Sequence, residues 1–170
     1  MTPSKSHLQR ISAIVFDCDG VLTPGDLFFD ANGPCFLRFN AKDGYGVGLA
    51  ARRGIKIGVL SGRPTDIVEK RYRELGVQVF VGSCRDKKAG MLEVCRALGV
   101  EPSATAYVGD DLPDLGAFAV AGLKVAVADA VLEVRQAADW VTVAAGGCGA
   151  AREVCDAVVR AITEAPDMQR

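Results

Sequence analysis

A chain of 170 residues, 49% of them hydrophobic, has the length and apolar content of one compact domain with a buried core. Its 20 basic and 21 acidic residues leave a net charge of −1 with no basic run, which excludes the clustered positive face that nucleic-acid backbones require. A single histidine, His7, excludes Ser-His-Asp triads and histidine-rich metal cages, so any catalysis falls to carboxylates, lysine and hydroxyls.

The chain opens on a polar, mixed stretch, Met1 to Arg10, that lacks the apolar core of a signal peptide, and no later run reaches membrane-spanning length. A cytoplasmic protein with no membrane partner is expected. It is expected to form one domain over residues 1–170, its core at about 12–160 and its ends, 1–10 and 165–170, loose. The cysteines at 18, 35, 84, 95, 148 and 155 show no CxxC spacing and read as reduced thiols, most packing as small hydrophobes.

From residue 13 onward, short β-branched runs alternate with helix-like segments. This is the pattern of parallel βαβ units and predicts an α/β fold, a three-layer Rossmann-like parallel sheet with helices on both faces. Strands are expected at Ala13–Phe16, Lys56–Leu60, Gln78–Val81, Ala104–Val108, Lys124–Ala126 and Trp140–Val143. Gly54, Gly76 and Gly99 each follow a helical stretch and mark its end. The segment Asp26 to Phe39 departs from the alternation. Its aromatic and apolar runs flank an Asp30-Ala31-Asn32-Gly33 turn, predicting a β-hairpin inserted after the first strand.

Chemistry concentrates in patches that follow strands, where ligands of parallel sheets bind. The first strand runs into Asp17-Cys18-Asp19-Gly20-Val21-Leu22-Thr23. A bare DxDG is commonly a turn, but the full string after an apolar strand is more specific. One aspartate can attack phosphorus while the other handles the leaving-group proton. Ser61-Gly62-Arg63 ends the next strand; a hydroxyl and backbone N–H groups there can hold a phosphoryl oxygen, although an ordinary turn into a helix from Asp66 fits the same residues.

Arg85-Asp86-Lys87-Lys88 opens a helix that runs to Leu98, and cations at a helix N-terminus oppose its dipole, which points to an anionic partner for one lysine, taken as Lys87. Finally, Gly109-Asp110-Asp111-Leu112-Pro113-Asp114 gathers three carboxylates that repel unless a cation lies among them. Oxygen-only ligands at a phosphate site favour Mg²⁺ over zinc, with one of Asp111 and Asp114 left to cap the following helix.

In order and spacing these patches resemble the haloacid dehalogenase superfamily of phosphotransferases, over about Ser12 to Val159. Three further strings, Phe39-Asn40-Ala41-Lys42-Asp43-Gly44-Tyr45-Gly46, Val125 to Ala130, and Ala145 to Val154, resemble its cap-less branch acting on 3-deoxy-D-manno-octulosonate 8-phosphate. The resemblance implies a nucleophile at Asp17, a general acid/base at Asp19 and phosphate-site groups at Ser61 and Lys87. It implies Mg²⁺ held by Asp17, the backbone carbonyl of Asp19, and Asp110, and substrate contacts at Asn40, Lys42, Asp43, Gly44, Gly62, Arg63 and Arg71. It further implies a homotetramer in which the hairpin of one subunit helps enclose the neighbour's site. Lys42, Gly48 and Cys148 stand where such proteins usually carry arginine or another basic residue. Two alternatives keep part of this reading: a phosphatase of a nine-carbon ulosonate 9-phosphate, and a non-catalytic oligomerisation module of a sugar-activating system.

Overall fold

The computed structural model describes residues 2–31, 33–64 and 66–163. Strands β1 (Ala13–Phe16), β4 (Lys56–Leu60), β5 (Val79–Val81), β6 (Thr105–Gly109), β7 (Leu123–Ala126) and β8 (Trp140–Val141) form a parallel sheet in the order β5-β4-β1-β6-β7-β8. Every residue of β1 is buried, as its unbroken Ala-Ile-Val-Phe run demands of a strand covered on both faces. Helices α2 (Ala41–Arg52), α3 (Asp66–Tyr72), α4 (Lys87–Leu98), α5 (Asp114–Phe118), α6 (Leu132–Ala137) and α7 (Ala150–Thr163) flank the sheet. Of these, α2 packs on α7, and α4 packs on α5, β4 and β1. Gly76 and Gly99 close their helical turns in the left-handed conformation, and Gly54 also has a positive φ.

The register places the chemistry. Phe16 pairs with Val59 on one side and Val108 on the other, so the loops that follow β1, β4 and β6 emerge side by side from one edge of the sheet. The expected hairpin forms from β2 (Phe28–Asp30) and β3 (Gly33–Phe36), with the Phe28 and Phe36 rings stacked at 4.3 Å. Asn32 of its turn lies outside the described residues, as does the 165–170 segment expected to be loose.

Two expectations are corrected. Within the stretch 1–10 expected to be loose, residues 5–10 are held: α1 (Lys5–Leu8) packs on α7, buries Leu8, and is followed by Gln9, whose Nε2 donates to the Ala161 carbonyl at 3.0 Å. So short a helix shows no periodicity in sequence, and its stability comes from that distant helix. The last strand ends at Val141 rather than Val143, because the N–H groups of Val143 and Ala144 turn away to the Glu153 carboxylate.

The described cysteines are all free, with Cys18, Cys95 and Cys155 buried. Among the described residues no helix is long and apolar enough to cross a membrane.

Candidate active site

Asp17 follows β1, is 8% exposed, and accepts a hydrogen bond from the Cys18 N–H at Oδ1, 2.7 Å away. The Cys18 carbonyl gathers the N–H groups of Val21, Leu22 and Thr23, curling the chain so that Asp19 returns to the same cavity as Asp17. Gly20 adopts φ +83°, and a Cβ there would overlap the Asp110 carboxylate. The close approach of the β1 and β6 loops therefore requires glycine. Asp19 Oδ2 lies 3.2 Å from Arg63 Nε.

Lys87 shows how the dipole conflict is resolved. Asp86 caps α4 by accepting from the Lys88 and Ala89 N–H groups, while Lys87 turns inward and is 5% exposed. Its Nζ lies 2.6 Å from Asp17 Oδ2, 2.7 Å from Asp114 Oδ1 and 3.2 Å from the Tyr107 hydroxyl, which gives each ammonium hydrogen an acceptor. Burial works against its charge, but the Asp17 and Asp114 carboxylates more than offset this and raise its pKa.

One of Asp111 and Asp114 is expected to cap α5, and neither does: the helix starts after Pro113 with no side-chain cap. Asp114 Oδ1 accepts from Lys87 and Tyr107, and its Oδ2 from the Asp110 and Asp111 N–H groups, so both oxygens are saturated. It holds the lysine and shapes the loop, whereas Asp111 is exposed and its Oδ1 accepts from the Leu112 N–H.

These side chains line a cavity of about 530 Å³, with Ser61, Gly62, Arg63 and Arg85 on its other wall. Ser61 Oγ accepts from the Arg63 N–H at 3.1 Å, which leaves its hydroxyl hydrogen available to a ligand. Oxygens of Asp17, Asp110 and Asp114 lie within 4.8 Å of one another, and Asp110 Oδ1 is buried with no hydrogen-bond partner among the described residues. An orphaned carboxylate oxygen beside a second carboxylate, with no nitrogen or sulfur donor alongside, suits a hard divalent cation such as Mg²⁺.

Without a cation, burial, followed by the charges of Asp17 and Asp114, pushes Asp110 up to about 8. Burial, then Asp114, raises Asp17 as well, against the opposing pull of Lys87. The folded chain thus keeps protons that the unfolded chain gives up near 3.8, and stability present in acid is lost as pH rises towards 8. In EDTA the thermal midpoint is expected to fall between about pH 6 and about pH 8, and Mg²⁺ to raise it more at the higher pH. Equal Mg²⁺ shifts at both values would contradict this.

The residues expected to touch the rest of the substrate do not line this cavity, Gly62 and Arg63 excepted. Asn40 caps α2 through the Lys42 N–H, Lys42 is exposed on the same first turn, and Gly44 leaves room for the Arg71 guanidinium, 3.0 Å from where its Cβ would sit. Asp43 is a correction. It is fully buried and accepts from the N–H groups of Gly149 and Arg152, so its carboxylate caps α7 and cannot reach a ligand.

The glycine loop before α7 also has a packing role. Gly147 N–H donates to the Val21 carbonyl, Gly146 N–H donates to Asp129, and the loop sits directly on the Gly20–Thr23 turn.

The family model described as haloacid dehalogenase-like hydrolase matches residues 45–122. The chain is 40% identical over 157 residues to 3-deoxy-D-manno-octulosonate 8-phosphate phosphatase of Haemophilus influenzae, covering 92% of this chain and 87% of that one. It is 38% identical to the Escherichia coli K12 protein of the same name, covering 90% and 81%. Among solved structures, the cobalt-bound phosphatase of Haemophilus influenzae superposes with a TM-score of 0.89 at 37% identity, covering 96% of each chain. The Moraxella catarrhalis phosphatase, solved with a magnesium ion, a phosphate ion and a KDO molecule, gives 0.88 at 32% identity, covering 94% and 91%.

Proposed function

The chain belongs to the haloacid dehalogenase-like hydrolases as a phosphatase, and on that premise we propose that it hydrolyses 3-deoxy-D-manno-octulosonate 8-phosphate with Mg²⁺, carrying the phosphoryl group on Asp17. The observation that carries the reading is Asp17 at the tip of the central strand, between the Lys87 ammonium and the orphaned oxygen of Asp110.

The Asp17 carboxylate attacks phosphorus, the ester P–O bond breaks, and the departing alkoxide takes a proton from Asp19. Water then attacks the aspartyl-phosphate and passes a proton back to Asp19, releasing phosphate and restoring Asp17. Lys87 balances the charge of the two approaching anions, held in line by Asp114 and Tyr107. The Ser61 hydroxyl donates to a phosphoryl oxygen. Asp17, Asp110 and the backbone carbonyl of Asp19 are the groups that would hold Mg²⁺, whose chemistry is to offset charge on the phosphoryl oxygens.

The substrate part of the reading is supported by the similar Moraxella protein holding phosphate and a KDO molecule. A panel with Mg²⁺ tests it. The octulosonate 8-phosphate is expected to be turned over with higher kcat/KM than a nine-carbon ulosonate 9-phosphate or hexose phosphates. A preference for hexose phosphates of about 10-fold, or about 1.4 kcal/mol, would overturn it.

A homotetramer is proposed on the same resemblance, supported by the exposed apolar side chains of Leu27, Phe28 and Phe36 on and beside the hairpin. Light scattering is expected to give the mass of four chains; a monomer would contradict it.

A further inference from the structure

We propose that Arg85 binds the carboxylate of the substrate and so determines specificity for phosphorylated acids, an inference that rests on the sugar-acid reading above. Arg85 lines the same cavity as Asp17 and Lys87, is exposed, and forms no ion pair among the described residues. Neither Asp86 nor Asp111 forms an ion pair with it among the described residues, and each has an oxygen turned to backbone N–H groups. Asp86, next in sequence, accepts from the Lys88 and Ala89 N–H groups at 3.0 and 3.1 Å, and Asp111 Oδ1 accepts from the Leu112 N–H at 2.7 Å.

The loop that presents Arg85 is fixed to the phosphate side of the cavity. Ser83 N–H donates to the Arg63 carbonyl and Cys84 N–H to the Ser61 carbonyl, both at 3.0 Å. Cys84 Sγ lies 3.1 Å from the Asp86 carbonyl, and Ser83 is held at φ 54°, a conformation unusual for a residue with a side chain.

The phosphoryl end already has a cation in the buried Lys87, whereas Arg85 is an exposed cation of the same cavity and is free to meet a second anionic group of the substrate. A guanidinium without a counter-ion at that place offers a planar pair of donors matched to a carboxylate.

The test compares kcat/KM for 3-deoxy-D-manno-octulosonate 8-phosphate with that for ribose 5-phosphate, which lacks the carboxylate, in wild type, Arg85→Ala and Arg85→Lys, all with Mg²⁺. The acid-over-pentose ratio is expected to fall about 30-fold in Arg85→Ala, mostly through KM, and to recover only in part in Arg85→Lys, which lacks the fork. A ratio unchanged within about 2-fold, or an equal loss on both substrates that assigns Arg85 to the phosphate, overturns the proposal while leaving the substrate reading intact. A wild-type enzyme with no preference for the acid overturns both. Thermal melts of the variants separate these results from misfolding.

Discussion

Replacing Asp17 with Asn is expected to lower turnover of every phosphate ester by about 10⁴-fold or more while leaving the protein folded. An amide oxygen is too weak a nucleophile to attack phosphorus, and no neighbouring group can substitute. Asp114 is saturated by four donors, Asp19 points to Arg63, and Asp110 is the carboxylate proposed to hold the cation. Folding should survive because burial and the charge of Asp114 already disfavour an ionised Asp17 in the cation-free protein, so a neutral isostere relieves repulsion. The thermal midpoint in EDTA is therefore expected to hold or rise. Residual turnover within about 10-fold of wild type would remove Asp17 from the nucleophile's role.

Gly146→Ala is expected to be the most damaging substitution outside the charged groups. A Cβ there would overlap the Gly20 carbonyl oxygen and sit 2.5 Å from its carbonyl carbon. Both are backbone atoms, so no side-chain rotation relieves the clash, and one of the two loops must move. The loop that yields carries Asp19 and abuts Asp110, and a displacement of about 1 Å in such a constellation costs about 10²-fold in rate. Overpacking adds about 1–3 kcal/mol of lost stability. Steady-state kinetics with a Mg²⁺ titration should show a fall in kcat/KM of about 100-fold and a higher Mg²⁺ requirement. A variant with wild-type kinetics would show that the glycine loop does not set the catalytic turn.

What sequence reveals here follows from how local each signal is. The sheet is legible because Ala13–Phe16 and Lys56–Leu60 are short apolar runs bounded by turn residues, and strand tips in a parallel sheet bring Asp17, Ser61 and Asp110 together whatever the loops do. Lys87 is legible through its conflict with the helix dipole.

Asp43 misleads for the opposite reason. Within its own string it is a polar residue beside a glycine, and its partners, the N–H groups of Gly149 and Arg152, lie more than a hundred positions away. Tyr107 has no sequence signal at all; inside an apolar strand it reads as core, and only the fold turns its hydroxyl onto Lys87 and Asp114. Spacing cannot assign roles to Asp111 and Asp114 either, since both lie within one turn of Asp110. Asp114 is taken up by Lys87, which arrives from α4.

The account depends on a covalent phosphoryl-Asp17, and the most direct measurement is to trap it. Enzyme mixed with Mg²⁺ and octulosonate 8-phosphate is quenched in acid within a turnover, reduced with borohydride, digested and read by mass spectrometry. An acyl phosphate at Asp17 predicts conversion of that residue alone to homoserine, in proportion to enzyme occupied, and none when substrate is omitted. Phosphate release with Asp17 unmodified at every quench time, or modification at a different aspartate, would contradict it.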